Sequence, residues 1–276
     1  MMEVSRYVTI GRYVPGDSVL HRLDPRTKLL TFGLLVSTLL VVKGYVPYLL
    51  LLGFAVVLLL LSRIPVRYVL AGLRPALWVL AILWVFQIIF SGSSYPDHPT
   101  LFRLGSWRAT WGGVHAGALN VLRISVLYLL TSLLTLTAGL VELADAGEML
   151  LSPLARLGVP LNEVALVFTI ALRFVPTLAE ELERLVKAQI SRGARLDEGG
   201  FLGRARRLIP LVVPLFLSIF DRAEDLILAM EARCYRGGRG RSKAVAFAFQ
   251  PLDALAAVVV LAVVAAAWLT GLMLPF

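Results

Sequence analysis

Residues from which catalytic and metal sites are built are scarce in this chain of 276 residues. Its one cysteine, Cys234, excludes an internal disulfide and a cysteine-rich metal site. The three histidines, His21, His98 and His115, are scattered and lack the spacing of metal ligands. The sequence contains no G-x-x-x-x-G-K-S/T phosphate loop, and no pattern pairs a nucleophile with a histidine. We therefore expect no catalytic residue, no metal and no cofactor bound by the chain itself, and we predict that it is not an enzyme.

Charged residues are also few, at 16% of the chain, whereas 58% of the residues are hydrophobic. Soluble domains average about 25% charged and roughly 45–50% apolar residues, so this composition predicts an integral membrane protein. The formal net charge of +9 is not accompanied by aromatic residues interleaved with basic ones. We therefore expect no nucleic-acid partner, and the positive charges serve instead to orient the chain in a membrane.

Apolar segments of helical length predict an all-α fold with about five transmembrane helices, at 29–42, 45–61, 77–90, 118–138 and 252–274. Only Lys43 and Gly44 separate the first two segments, which predicts a tight helical hairpin. Residues 62–74 are predicted to be a short basic loop and residues 91–113 a polar loop. Because positive residues favour the cytoplasmic side, the N-terminus and the 62–74 loop are expected there.

Charges of both signs recur every few residues between 141 and 243, where apolar runs are short or interrupted by proline. This pattern predicts long amphipathic helices at the cytoplasmic face of the membrane. Residues 208–220, with Pro210 and Pro214, could instead dip into the bilayer. The chain thus divides into an N-terminal segment with four spans (1–140), a region of amphipathic helices (141–243) and a last span (244–276).

Two arginine triplets lie in the amphipathic region, each at the end of a segment with helical periodicity: Ser191-Arg192-Gly193 and Ala232-Arg233-Cys234. Glycine adopts the left-handed conformation that ends helices, so Gly193 and Gly237-Gly238 are the expected helix stops. The small residues beside each arginine would let another backbone come close. A guanidinium holds a partner carboxylate with two parallel hydrogen bonds, which lysine cannot do. The pattern makes both triplets candidate sites for binding a partner protein.

A simpler interpretation of the same arginines competes with this one. An arginine in the last turn of a helix pairs with the helix dipole and the free carbonyl groups, for roughly 0.3–1 kcal/mol. Pattern alone favours that structural role for either arginine. Arg123 and Arg173 lie within apolar segments, and their side chains are expected to reach out to the membrane interface.

Several stretches of the sequence together resemble one family. They are GRYVPGDSVLHRLDPRTKLL at 11–30, LGVP at 157–160, ALRFVP at 171–176, Glu180, AQISRG at 188–193 and AMEARCY at 229–235. The combination is similar to the T component of energy-coupling factor (ECF) transporters, the EcfT/CbiQ/BioN family, over residues 11–238. The usual Ala-Arg-Gly triplet of the family is replaced here by Ser-Arg-Gly at 191–193 and by Ala-Arg-Cys at 232–234.

The resemblance implies a scaffold in the inner membrane of a prokaryotic cell, with a cytoplasmic N-terminus and cytoplasmic coupling helices. Its expected partners are two ABC-type ATPases, which bind the ATP, and a small substrate-binding membrane subunit, the S component, that captures a vitamin or metal ion. Arg192 and Arg233 would each meet acidic groups in a groove on one ATPase. The scaffold would pass the ATP-driven motion of the ATPases to the S component.

Three alternatives remain at the level of sequence. An ordinary ABC permease would form its own substrate path and need no further membrane partner. A membrane-embedded enzyme would require a cluster of histidines or acids within the spans, and none is visible in the sequence. A membrane anchor would bind anionic lipid through its basic helices, and it predicts that arginine-to-lysine changes at 192 and 233 are harmless.

Overall fold

A computed structural model describes residues 14, 16–90, 99–104, 107–153, 161–194, 201–237 and 249–273. Within these ranges the chain is helical almost throughout. The order is α1 (Val19–Arg22), α2 (Pro25–Val41), α3 (Tyr45–Leu61), α4 (Val66–Phe90), β1 (Thr100–Leu104), β2 (Trp107–Thr110), α5 (Trp111–Thr137), α6 (Leu140–Leu151), α7 (Leu161–Ser191), α8 (Phe201–Ala232) and α9 (Pro251–Met273). The predicted all-α membrane fold is confirmed, with one short antiparallel hairpin, β1–β2, added to it.

The described residues fall into two compact units. Those up to Gly139, together with α9, form one unit, which we call the membrane unit. Those from Leu140 to Gly237 form the other, which we call the amphipathic unit. The membrane unit contains α1–α5, the hairpin and α9, and the amphipathic unit contains α6–α8.

Three described helices, α4, α5 and α9, are long and apolar enough to cross a membrane, with 25, 27 and 23 residues. Helix α3 is apolar but has 17 residues, and α2 is equally short. At 1.5 Å per residue each extends roughly 25 Å, slightly less than a hydrocarbon core of about 30 Å. All five predicted segments are therefore helical, while a total of five spans stays a prediction.

Helix α4 begins earlier than the sequence suggested. It starts at Val66 and continues through Pro75, so the loop predicted over 62–74 was wrong for its second half. Proline lacks an N–H group and disfavours a helix interior, yet the surrounding apolar turns continue the helix on both sides of it. Helix α5 also begins early, at Trp111, where the Thr110 hydroxyl oxygen accepts the Gly113 N–H at 3.3 Å.

The core of the membrane unit joins helices that are distant in sequence. Helices α2 and α3 each pack against α5 and α9 rather than closely against each other. The buried side chains at this centre include Leu39, Leu51, Val126 and Ala267, one from each helix. The short connection predicted at Lys43-Gly44 is thus confirmed. The prediction that α2 and α3 pack closely against each other as a hairpin is wrong. Burial of apolar side chains from four helices holds the unit together, because each side chain removed from solvent or lipid gains dispersion contacts.

In the amphipathic unit, α7 packs against both α6 and α8. Helices α7 and α8 have 31 and 32 residues and are unbroken by the prolines within them, at 176, 210 and 214. The predicted long amphipathic helices are therefore present. Leu178, Leu182 and Leu185 lie half-buried along one stripe of α7, whereas Glu180 and Arg184 on its other side are exposed.

Candidate functional site

Both predicted arginine triplets lie at helix C-termini of the amphipathic unit, where α7 ends at Ser191 and α8 at Ala232. After Ser191, the Gly193 N–H bonds to the Ile190 carbonyl at 2.9 Å and the Ala194 N–H to the Gln189 carbonyl at 3.0 Å. Gly193 has a φ of +87°. This pair of bonds around a left-handed residue is a Schellman motif, which satisfies carbonyl groups that the helix leaves unpaired.

The end of α8 repeats the same geometry. The Cys234 N–H bonds to the Glu231 carbonyl at 2.8 Å, and the Tyr235 N–H bonds to the Met230 carbonyl at 3.0 Å. The left-handed position, which is Gly193 in the first triplet, is occupied here by Cys234 with a φ of +57°. Helix α8 therefore stops before the predicted Gly237-Gly238, because a non-glycine residue takes the conformation that glycine was expected to supply. A side chain in this conformation costs roughly 1–2 kcal/mol.

Arg192 and Arg233 occupy equivalent places, immediately before the left-handed residue of each motif. Both are exposed, and so are their neighbours in the triplets: Ser191, Gly193, Ala232 and Cys234. Among the described residues, neither guanidinium has a hydrogen-bond or ion-pair partner. The backbone amides of the Schellman motifs already bond to the last carbonyl groups of each helix. Neither arginine therefore caps a carbonyl group of its own helix with a side-chain hydrogen bond among the described residues.

The two helices that present the triplets are connected by exposed and partly exposed charges. Glu181 of α7 lies 3.7 Å from Arg222 of α8 and 4.0 Å from Arg184 of its own helix. A further pair on α7 joins Lys187 to Glu183 at 2.7 Å. Ion pairs of this kind contribute little stability, with a median of about 0–1 kcal/mol each. These ion pairs therefore contribute little to the association of α7 with α8.

The structure shows a buried polar network that the sequence analysis did not single out. Asp253, at the start of α9, is fully buried. One of its carboxylate oxygens accepts the Asp24 N–H at 2.8 Å, and the other accepts the Gln250 N–H at 2.8 Å. Asp24 in turn accepts the Arg26 N–H at 2.9 Å and caps α2, which begins with Pro25. The sequence does contain a signal for this network: Asp253 lies two residues after Pro251, just inside an apolar span where a charge is costly unless it has partners.

Several residues of the 11–30 stretch form further polar contacts near this network. The His21 Nε2 donates to the Val14 carbonyl at 3.0 Å, and the Ser18 hydroxyl lies 2.6 Å from Nδ1. Lys28 is buried, and its Nζ donates to the His21 carbonyl at 3.2 Å and to the Thr137 carbonyl at 3.0 Å. Carbonyl groups at the ends of α1 and α5 thereby stabilise a buried cation. Through Lys28, the 11–30 stretch connects the start of α2 to the end of α5, and we assign it a structural role.

The remaining polar residues show no arrangement for catalysis or metal binding in the described ranges. No group of three or more histidine, cysteine, aspartate or glutamate side chains there could hold a metal ion. Arg173 is exposed on α7, and Arg123 of α5 donates from Nη2 to the Leu40 carbonyl at 3.1 Å. His98 lies outside the described residues.

Comparison with known proteins gives one consistent result. The family model described as CbiQ, cobalt transport protein, matches residues 16–244. The chain is 42% identical over 265 residues to the energy-coupling factor transporter transmembrane protein EcfT of Brevibacillus brevis, covering 95% of this chain and 97% of the relative. The protein with the same description from Thermanaerovibrio acidaminovorans is 46% identical over 245 residues, 88% of each chain. That from Bacillus subtilis is 42% identical over 234 residues, 85% of this chain and 87% of the relative.

Proposed function

The chain belongs to the EcfT/CbiQ family, the T components of energy-coupling factor transporters, and we propose that it couples two ABC-type ATPases to a substrate-capturing S component. In this proposal the chain binds no ATP and forms no substrate path of its own. It converts closing and opening of the ATPase pair into movement of the S component, which captures a vitamin or a metal ion.

The proposal rests on one observation, the matched presentation of Arg192 and Arg233. Two helices of the same unit end in the same Schellman geometry, and each places an exposed arginine at the same position of the motif. A helix end closed by its own backbone amides leaves the guanidinium to an outside partner. Duplication of the geometry suits a pair of similar partners, such as two ATPase subunits.

Arginine suits this contact because of its shape as well as its charge. Its planar guanidinium makes two parallel hydrogen bonds with a carboxylate, whereas the ammonium group of lysine acts as a point charge. The exposed small residues Ser191, Gly193 and Ala232 add little bulk around each arginine. We therefore expect each triplet to enter an acidic groove on one ATPase.

The orientation in the membrane is part of the proposal. Arg63, Arg67 and Arg74 are exposed around the start of α4, and clustered basic residues beside spans favour the cytoplasm. We expect this end of the membrane unit to face the cytoplasm of a prokaryotic cell. The helices of the amphipathic unit are separately expected to be cytoplasmic, because charges of both signs recur along them. The ATPases, which require cytoplasmic ATP, would then reach Arg192 and Arg233 from that side.

Co-purification from native membranes tests the proposal. The tagged chain is compared with the Arg192→Glu, Arg233→Glu double variant, and captured proteins are quantified by mass spectrometry. Loss of one member of a buried charge pair at an interface costs about 2–5 kcal/mol, so the ATPases should be lost at least tenfold from the variant. The charge-matched control is Arg173→Glu with Arg184→Glu, two exposed positions on α7 away from the triplets, which should retain the ATPases.

The Arg192→Lys, Arg233→Lys variant separates the proposal from a lipid anchor. A site that uses the guanidinium fork loses ATPase with lysine, whereas anionic lipid responds to charge and tolerates the change. An ordinary permease would be indicated by ATPases captured without any small membrane subunit. ATPase recovery that is equal in the wild type and the glutamate variant would contradict the role of the two arginines.

A further inference from the structure

A large cavity lies in the membrane unit at the end of α2 opposite to Asp24. Its volume is about 750 Å³, and it is bounded by the α2–α3 connection, the first turn of α3, α5 and one residue of α4. The coupling role proposed above assigns no function to this end of the molecule. Its lining combines two cations, three other hydrogen-bonding side chains and two amides.

The charge of the cavity lining is entirely positive among the described residues. Lys43 and Arg123 line it, and no described aspartate or glutamate does. Beside the two cations are the Tyr45 hydroxyl and the His115 ring, whose Nδ1 lies 2.9 Å from that hydroxyl. Such a set of donors suits an anion with several acceptor oxygens.

Both cations keep hydrogen-bond donors that are not used by contacts among the described residues. Arg123 donates one of its five N–H groups to the Leu40 carbonyl, at 3.1 Å. Lys43 is exposed and has no hydrogen-bond or ion-pair partner among the described residues. A purely structural role, in which Arg123 caps the end of α2, would account for that one donor and not for Lys43.

An apolar groove lies next to this cavity, between α4 and α5. This second cavity, of about 190 Å³, shares Gln87 and Asn120 with the first. Its other walls are mainly the apolar side chains of Leu83, Phe86, Phe90, Val121 and Ile124. The indole N–H of Trp84, which also lines the groove, donates to the Val114 carbonyl at 3.4 Å and needs no ligand. A cationic cavity that adjoins an apolar groove has the two-part character of a site for an amphiphile.

We propose that the cavity and groove bind one anionic phospholipid. Its phosphate group occupies the cavity with Lys43 and Arg123, and an acyl chain lies along the groove beside Phe86 and Ile124. A free oxyanion would satisfy the cations and leave the apolar groove unused, so the adjacency of the two cavities, which share Gln87 and Asn120, favours a lipid.

Native mass spectrometry of the full chain in detergent tests this proposal. Wild-type protein is titrated with phosphatidylglycerol or with zwitterionic phosphatidylcholine, and bound lipid is counted. Each cation near an anionic headgroup contributes roughly fivefold in affinity, so Lys43→Gln should weaken phosphatidylglycerol binding about fivefold and Lys43→Gln with Arg123→Gln about 25-fold. Arg67→Gln with Arg74→Gln removes the same charge from exposed positions on α4 and should leave binding unchanged.

Two further arms distinguish lipid from free phosphate. Ile124→Trp fills the groove and should lower phosphatidylglycerol binding while leaving the cations intact. Inorganic phosphate in excess should compete weakly, because it cannot use the groove. Complete displacement by inorganic phosphate, or an Ile124→Trp variant with undiminished lipid binding, would overturn the assignment to a lipid.

Whether Lys43 and Arg123 form the headgroup site is tested with substitutions that should not disturb the fold. Lys43→Gln changes an exposed residue without described partners, and Arg123→Lys retains a cation at the second position. Equal binding of phosphatidylglycerol and phosphatidylcholine, or a Lys43→Gln variant that matches wild type, would overturn the proposal. Selective loss in Lys43→Gln, with binding largely retained in Arg123→Lys, would support it.

Discussion

Replacement of Cys234 by glycine should stabilise the end of α8 that presents Arg233. Cys234 has a φ of +57°, a conformation that costs a residue with a side chain roughly 1–2 kcal/mol and costs glycine nothing. Glycine loses more chain entropy on folding, by roughly 0.5–1 kcal/mol. The difference predicts a net stabilisation of about 0.5–1 kcal/mol for Cys234→Gly. Gly193, at the equivalent position with a φ of +87°, already has the favoured residue, so Gly193→Ala should destabilise its helix end.

Amide hydrogen exchange measures this effect where it arises. The amides of Cys234 and Tyr235 donate to the Glu231 and Met230 carbonyls, so both are protected while the motif is closed. A gain of 0.5–1 kcal/mol slows their exchange by about two- to fivefold. Cys234→Ala, which removes the thiol and keeps a side chain, is the control and should not slow exchange. Faster exchange in Cys234→Gly, or equal slowing in both variants, would refute the argument from backbone conformation.

Two other predictions concern polar contacts of unequal burial. Asp253→Ala should lower the free energy of unfolding in detergent by about 2–4 kcal/mol, since it leaves the buried Asp24 amide and the partly buried Gln250 amide without their acceptor. An unfolding midpoint equal to that of the wild type would contradict this. Glu181→Gln should lower it by less than about 1 kcal/mol, because its pairs with Arg222 and Arg184 are partly exposed and long. A larger loss for Glu181→Gln in the same unfolding assay would mean that this charge determines how α7 and α8 associate.

The sequence by itself determined the class of the protein and the location of its arginine triplets. A composition of 58% hydrophobic and 16% charged residues suffices for a membrane protein, because the cost of burying charge in lipid depends on the count of charges. The helical stripes placed Arg192 and Arg233 at helix ends, since periodicity is a local property. Family membership followed from short motifs that the comparisons later matched over residues 16–244.

The tertiary structure alone decided which distant segments meet. Packing of α2 and α3 against α5 and α9, and the bond from Asp253 to the Asp24 amide, join positions far apart in the chain that no local pattern relates. The end of α8 at Cys234 could not be predicted from the sequence either. Glycine is the residue expected at a left-handed position, and here the fold imposes that conformation on a cysteine. The cavity beside Lys43 and Arg123 also exists only through packing, since one cation comes from the α2–α3 connection and the other from α5, and the groove forms where α4 contacts α5. Local propensity is encoded residue by residue, whereas such sites depend on the whole arrangement of helices.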